Sequence, residues 1–466
     1  MAAVPLSGRA LEIRGGPSLK GKVRISGAKN AALPILCATI LAPGTFELAN
    51  VPRLTDVFTL MDLLEHLGAT CSWYPGGTGG LEAPPPLSMD TSDLRPVEAP
   101  FELVQRMRAS FLVLGPLVAR FGRARVPLPG GCEIGARPVN FHLEGLRLLG
   151  AKWEIDSGFV DVTAPGGLEG ARILLDFPSV TATENLLMAA TLARGITRIE
   201  NAAMEPEVVD LGEMLRKMGA RINGLGTPVI EIEGVSELGQ VEWTIVPDRI
   251  EAGTFMIAVG IAGGDIELVD ADATHLDAVI SKLEATGLDV DVLSNTSRGE
   301  GRAHGATPGF STPTVIRIRR TGPIQAVDVT TAPYPGFPTD LQAQMVALMA
   351  YSTGLSVVKE QIFENRFRHV DELRRLGADI RVEQRSAIIR GRQGLTGAPL
   401  TATDLRASAS LVLAGLGARG VTRVLDIHHL DRGYEGLDEK LRSLGAHVTC
   451  LPAGRGGSAD YADYSE

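Results

Sequence analysis

The sequence predicts an α/β (α+β) protein of two domains, each assembled from three copies of one unit. Two recurring phrases and a seam between the two halves carry this prediction. The phrase L-x-x-L-G-A, or a close variant, occurs six times, its glycine at Gly68, Gly150, Gly219, Gly287, Gly377 and Gly445. A run of small and apolar residues closed by glycine also occurs six times, ending at Gly44, Gly122, Gly195, Gly264, Gly354 and Gly420. Internal repetition marks units that bury their apolar faces against their neighbours. The seam between the third and fourth units falls near residues 243–248.

Each element has a local reason. Over 55–67, Val57, Leu60, Met61, Leu64 and Leu67 recur at helical spacing, and Gly68 supplies a left-handed cap. Strand-like runs follow these glycines, AKWEI at 151–155 and ADIRV at 378–382. The second phrase predicts helices apolar on every side, hence buried. They span 30–44, 108–122, 183–195, 251–264, 340–354 and 406–420. The unit is therefore buried helix, strand, amphipathic helix, strand, with the buried helices inside sheet and outer helices. The fifth buried helix opens on Thr339-Asp340-Leu341-Gln342, which reads as a T-x-x-Q capping box. Residues 76–96, rich in Gly and Pro, and 294–313, rich in Gly, Ser and Thr, read as surface insertions. Residues 454–466 read as a disordered tail.

A formal charge of −10 over 466 residues disfavours nucleic acid as a partner. The longest apolar runs, such as 31–42, are too short to span a bilayer, and the start lacks a signal pattern. A cytoplasmic protein, monomeric by default and without a membrane partner, is expected. Cys37, Cys71, Cys132 and Cys450 lie far apart with no metal-ligand spacing, so neither a metal nor a cofactor is expected. The adjacent His428 and His429 read as structural, and the glycine-rich stretch from Gly16 to Lys22 fails as a phosphate loop because Val23 follows.

Chemistry concentrates in PLPGGCEIGARPVNFHL, residues 127–143, where paired glycines flank Cys132 and Arg137 follows five residues on. A guanidinium near a cysteine favours its thiolate, although a surface turn with an inert thiol would read the same way. The buried helices also begin with polar residues: Lys29 and Asn30, Arg106 and Arg108, Asp248, Arg249 and Glu251, Thr339 and Asp340, Asp404 and Arg406. Helix N-termini favour anions. Together with Arg366 and Arg432, these positions suggest a cleft for a multiply anionic ligand. The competing reading is local pairing of Asp404 with Arg406, Asp431 with Arg432 and Glu364 with Arg366.

Long motifs then occur in one order: ISGAKNAALPIL from Ile25, PGGCEIGARPV from Pro129, PEVVD from Pro206, PDRIEAGTF from Pro247, FPTDLQAQ from Phe337, FENRFRHV from Phe363, TDLRASASLVLAG from Thr403 and DRGYE from Asp431. In these the chain resembles the UDP-N-acetylglucosamine 1-carboxyvinyltransferase family of enolpyruvyl transferases. The resemblance implies two inverse α/β-barrel-like domains, 29–246 and 247–466 joined by 1–28, with the active site between them. It implies transfer of the enolpyruvyl group of phosphoenolpyruvate to the 3′-hydroxyl of UDP-N-acetylglucosamine, with release of phosphate, as the first committed step of peptidoglycan synthesis.

By the same resemblance, Cys132 is the acid and the target of fosfomycin, and Asp340 is the base, with Lys29 and Arg432 also catalytic. Lys29, Asn30, Arg137, Arg366, Arg406 and Arg432 would bind phosphoenolpyruvate. Asn30, Arg108, Arg137, Pro138, Val139, Asn140, Phe141, Ser179, Val180, Thr181, Asp340 and Ile362 would bind the UDP-sugar. Asn140, Thr181 and His428 depart from the family's usual Asp, Gly and Tyr, which leaves open an altered nucleotide preference. A transferase acting on shikimate 3-phosphate is disfavoured by Cys132 and GAKNAALP. A non-catalytic UDP-sugar sensor is disfavoured because Cys132, Asp340 and Lys29 are all present.

Overall fold

The computed structural model describes residues 8–76, 80–95, 98–129, 139–293, 314–392 and 394–452. All twelve phrase-closing glycines adopt positive φ, from 71° at Gly122 to 130° at Gly264. A side chain at such φ clashes with its own backbone, so glycine ends these elements at fixed points.

Six inner helices follow the second phrase: Lys29–Ala38, Leu114–Phe121, Val180–Ala190, Arg249–Ala262, Gln342–Ala350 and Leu405–Gly417. In the fourth, every residue from 250 to 261 is buried. Six amphipathic outer helices end at the first phrase: Thr55–His66, Asn140–Leu148, Pro206–Lys217, Asp277–Ala285, His369–Arg375 and Leu437–Ser443. Between the two sets lie six small sheets among the described residues, five of four strands that mix parallel and antiparallel pairs and one of three strands that is wholly antiparallel. The apolar side chains form two cores, one from residues 28–246 and one from 11–25 together with 250–448.

The N-terminal segment completes the second core. Ala10–Arg14 lies antiparallel between Val421–Leu425 and His447–Leu451. Leu19–Arg24 pairs parallel with Gly264–Ala271. The chain then crosses to the first core beside its return crossing, tied by Ala28 N–H to the Val246 carbonyl at 2.7 Å and Asp248 N–H to the Ser26 carbonyl at 2.8 Å. Gly27 sits in this crossing, and a Cβ there would lie 1.8 Å from the Asn50 carbonyl oxygen. Gly27→Ala is therefore expected to destabilise the fold by about 3 kcal/mol, since backbone must shift to relieve the overlap. Denaturant unfolding checks this; a loss under ~1 kcal/mol would mean that the crossing relaxes freely.

Three expectations are corrected. Residues 76–96 are not simply an insertion: Leu87–Asp90 is a strand pairing with Thr45–Ala49 and Thr70–Trp73, and Leu87 and Met89 are fully buried. The second inner helix begins as a 3₁₀ turn, Arg108–Val113, because Pro116 has no N–H to give to the Leu112 carbonyl. Thr339 does not cap the fifth inner helix, since its hydroxyl donates instead to Glu360 at 2.8 Å. The regions 294–313 and 454–466 lie outside the described residues. Among the described residues, no helix is long and apolar enough to cross a membrane and no group of three His, Cys, Asp or Glu could hold a metal ion.

Candidate active site

Two carboxylates, each shared by two cations, define the site. Asp340 lies in the 3₁₀ turn Thr339–Leu341 that leads into the fifth inner helix. Its Oδ1 accepts from Arg366 Nη2 and its Oδ2 from Arg406 Nη2, both at 2.8 Å. Asp56, in the first turn of Thr55–His66, binds Lys29 Nζ at 2.7 Å through Oδ2 and Arg432 Nε at 2.9 Å through Oδ1. Lys29 belongs to the first half and Arg432 to the second, so Asp56 ties the halves together at the site.

The electrostatics follow from this geometry. Burial pushes the Asp340 carboxyl up, but Arg406 and Arg366 overcome it and hold the group well below the usual carboxylate range. Burial likewise raises Asp56, and Lys29 with Arg432 brings it below its ordinary value. Burial lowers Lys29; Asp56 opposes that, while the nearby Arg406 and Arg432 add to it. Lys29 and Arg406 therefore feel one another, and the four cations form one basic cluster stapled by the buried Asp56 and the half-buried Asp340.

The local pairings allowed by the sequence are not made. Asp404 caps the sixth inner helix, accepting from the N–H groups of Arg406 and Ala407 at 2.9 and 3.0 Å. Asp431 pairs with Arg9 at 2.6 Å and Glu364 with Arg385 at 3.1 Å. Each arginine instead reaches across the site, Arg366 and Arg406 to Asp340 and Arg432 to Asp56.

Buried Glu360, absent from the expected residues, organises the loop that leads to Arg366. Its carboxylate accepts from Thr331 Oγ1 at 2.9 Å, Thr339 Oγ1 at 2.8 Å, and the N–H groups of Ile362 and Phe363 at 2.7 and 3.1 Å. Thr339 Oγ1 in turn accepts from Arg366 Nη1 at 2.8 Å. A continuous chain of hydrogen bonds thus runs from Glu360 through Thr339, Arg366 and Asp340 to Arg406, with Ile362 placed on the same loop.

A second group of expected residues gathers around the N-terminus of the third inner helix. Ser179 caps it, accepting from Ala182 N–H at 3.4 Å, and Val180 and Thr181 open it. Val139, Phe141 and Val180 pack against the first core, while Asn140 opens its outer helix and is exposed. Thr181 Oγ1 lies 3.3 Å from His142 Nε2, His142 Nδ1 lies 2.8 Å from Asn185 Nδ2, and Asn185 Oδ1 accepts from Gly115 N–H at 2.6 Å. Because Asn185 donates to Nδ1, His142 carries its proton on Nε2 and donates to Thr181. Burial, aided by Arg108, pushes His142 down to about 3, so the ring stays neutral. The turn bearing Arg108 packs against both the first and third inner helices. Asn30 follows Lys29 and is half-buried. Cys132, Arg137 and Pro138 lie outside the described residues.

Sequence gave little warning of Asp56, Glu360 or His142. An acid in a first helical turn reads as an ordinary dipole partner, and nothing local marks Glu360 or His142 as buried.

The family model described as EPSP synthase (3-phosphoshikimate 1-carboxyvinyltransferase) matches residues 13–441. A protein of Carboxydothermus hydrogenoformans named UDP-N-acetylglucosamine 1-carboxyvinyltransferase 2 is 51% identical over 436 residues, 94% of this chain and 98% of that protein. A UDP-N-acetylglucosamine 1-carboxyvinyltransferase of Nitratidesulfovibrio vulgaris is 52% identical over 442 residues, 95% of this chain and 99% of its own. Among solved structures, the enolpyruvyl transferase NikO from Streptomyces tendae aligns with a TM-score of 0.81 at 28% identity, over 96% of this chain and 99% of that one. EPSP synthase from Acinetobacter baumannii aligns with a TM-score of 0.73 at 19% identity, over 95% and 100%, and shares the fold.

Proposed function

The chain belongs to the EPSP synthase (3-phosphoshikimate 1-carboxyvinyltransferase) family, and we propose that within it this protein is a UDP-N-acetylglucosamine 1-carboxyvinyltransferase. It transfers the enolpyruvyl group of phosphoenolpyruvate to the sugar 3′-hydroxyl, as the committed step of peptidoglycan synthesis in the cytoplasm. The observation that carries this reading is the four-cation cluster on Asp340 and Asp56, in a chain about half identical to relatives of that name along nearly its whole length.

Phosphoenolpyruvate carries a phosphate and a carboxylate, and Lys29, Arg366, Arg406 and Arg432, with Arg137, supply rigid cations for both. In the addition step the 3′-oxygen bonds to C2 of the enol, the sugar hydroxyl proton passes to Asp340, and Cys132 gives a proton to the methylene carbon. In the elimination step the C2–O bond to phosphate breaks, the Cys132 thiolate takes back a methyl proton as the double bond reforms, and the proton held by Asp340 leaves with the phosphate. Asp340 in the resting site is a poor base because two guanidinium groups stabilise its charge. Substrate anions drawing on Arg366 and Arg406 raise its proton affinity at the moment a base is required. The UDP moiety is held by Asn30, Arg108, residues 137–141, residues 179–181 and Ile362, with the Thr181 hydroxyl set by His142. The domains of this reading are 29–246 and 247–466 with 1–28, supported by the two cores.

Phosphate release from phosphoenolpyruvate, measured with UDP-N-acetylglucosamine beside UDP-N-acetylgalactosamine and shikimate 3-phosphate, tests the assignment. Release with the first acceptor is expected. Release only with another would move the acceptor, and nucleotide-sugar binding without release would favour a sensor. Cys132→Ser should lower turnover about 10³-fold at neutral pH. Fosfomycin should label Cys132 and spare Cys37 and Cys71, whose thiols burial raises, Cys71 to about 12. Equal labelling of the three would contradict a selectively activated thiol.

A further inference from the structure

Five buried polar atoms without a protein partner gather beside the Arg366–Asp340–Arg406 chain. They are Gln342 Nε2 and Oε1, Arg366 Nε, His369 Nε2 and Arg406 Nη1. All four residues line one small pocket with Thr339 and Asp404, and the pocket is too tight to admit a water molecule. Gln342 is 0% exposed and His369 1%. Unpartnered buried polar groups are rare and cost about 1–3 kcal/mol each. Five around one pocket are a feature to be explained.

Their chemistry is complementary. Arg366 Nε and Arg406 Nη1 only donate. Gln342 Oε1 accepts. One ring nitrogen of His369 is bonded to the Arg366 carbonyl, and since Nε2 is the unpartnered nitrogen, that donor is Nδ1. Burial pushes His369 down to about 4, so the ring is neutral and Nε2 presents a lone pair. The pocket therefore gathers two guanidinium N–H groups that lack an acceptor and two acceptors that lack a donor.

We propose that Gln342 and His369 are positioning residues, which take up the free N–H groups of Arg366 and Arg406 when an anionic substrate draws these arginines off Asp340. The inference rests on the reading that both arginines bind phosphoenolpyruvate. It explains how the arginines stay fixed once Asp340 is released to act as a base. With Asp340 withdrawn, the Arg366 guanidinium would keep its bond to Thr339 as its one described hydrogen bond, and a misplacement of about 1 Å can cost 10²-fold in rate.

The test is steady-state kinetics on the full chain with each substrate varied. His369→Asn keeps a donor near the Nδ1 position and removes the acceptor at Nε2, and Gln342→Leu removes both amide groups. Each should raise KM for phosphoenolpyruvate about tenfold or more while KM for UDP-N-acetylglucosamine stays within about twofold. His369→Gln, which restores an acceptor near the Nε2 position, should recover most of the loss. Should Gln342→Leu not fold, the nearly isosteric Gln342→Met carries the same expectation. Unchanged KM for phosphoenolpyruvate in folded variants, an equal rise for both substrates, or no rescue by His369→Gln would overturn the proposal. A wild-type protein inactive with phosphoenolpyruvate would instead overturn the functional reading on which it rests.

Discussion

Asp340→Asn should cost this protein both turnover and stability, and the two losses should respond differently to ligand. Losing the proposed base is expected to reduce turnover about 10³-fold. Losing the charge leaves Arg366 and Arg406, both with side chains 7% exposed, without their shared counter-ion. Breaking a buried pair from one side typically costs about 3–5 kcal/mol. Inorganic phosphate, bound by the same guanidinium groups, should return much of the stability and none of the turnover. The pH dependence has a definite sign. The folded carboxyl is held below its usual value, so its stabilisation is present above the unfolded pKa of about 3.9 and is lost as pH falls through the lower folded value. The Asn variant should lack that acid-side loss. Melting curves with and without phosphate, across pH, check each part. A variant as stable as wild type without ligand would mean that Asp340 does not hold the arginines.

The second large effect is expected at Asp56, which is 3% exposed and serves Lys29 and Arg432 at once. Asp56→Asn should destabilise the protein by about 3 kcal/mol, because two cations remain packed together without their anion. It should also lower kcat/KM for phosphoenolpyruvate by about 10–100-fold through loss of positioning. A purely structural role would not move the pH profile, and here the profile should move. Asp56 opposes the burial that lowers Lys29, so removing it lowers Lys29 further, and the alkaline limb of activity should shift to lower pH. An unshifted limb would separate Lys29 from Asp56 as a working pair.

These two carboxylates show where the sequence was legible. Asp340 stood out because it lies in a long, specific motif at the start of a buried helix, and the resemblance proposed a role for it. Asp56 stood in a first helical turn, where an acid ordinarily serves the helix dipole. Its function arises only because Thr55–His66 approaches the segment carrying Arg432, which lies in the other half of the chain. The arginines repeat the lesson. Neighbouring acids offered each of them a partner, and in the fold each instead reaches a carboxylate on another segment.

By itself the sequence determined the repeat, the cap positions, the inner and outer helices, and the inventory of cations. Those properties are local: a glycine at positive φ, an apolar period, or a motif read in order needs only adjacent residues. Tertiary structure alone decided that residues 87–90 pair as a strand, that Glu360 and not the helix takes the Thr339 hydroxyl, and that Asp56, Gln342 and His369 surround the basic cluster. A buried polar group takes its partner from whatever segment packs against it, and that segment can lie hundreds of residues away.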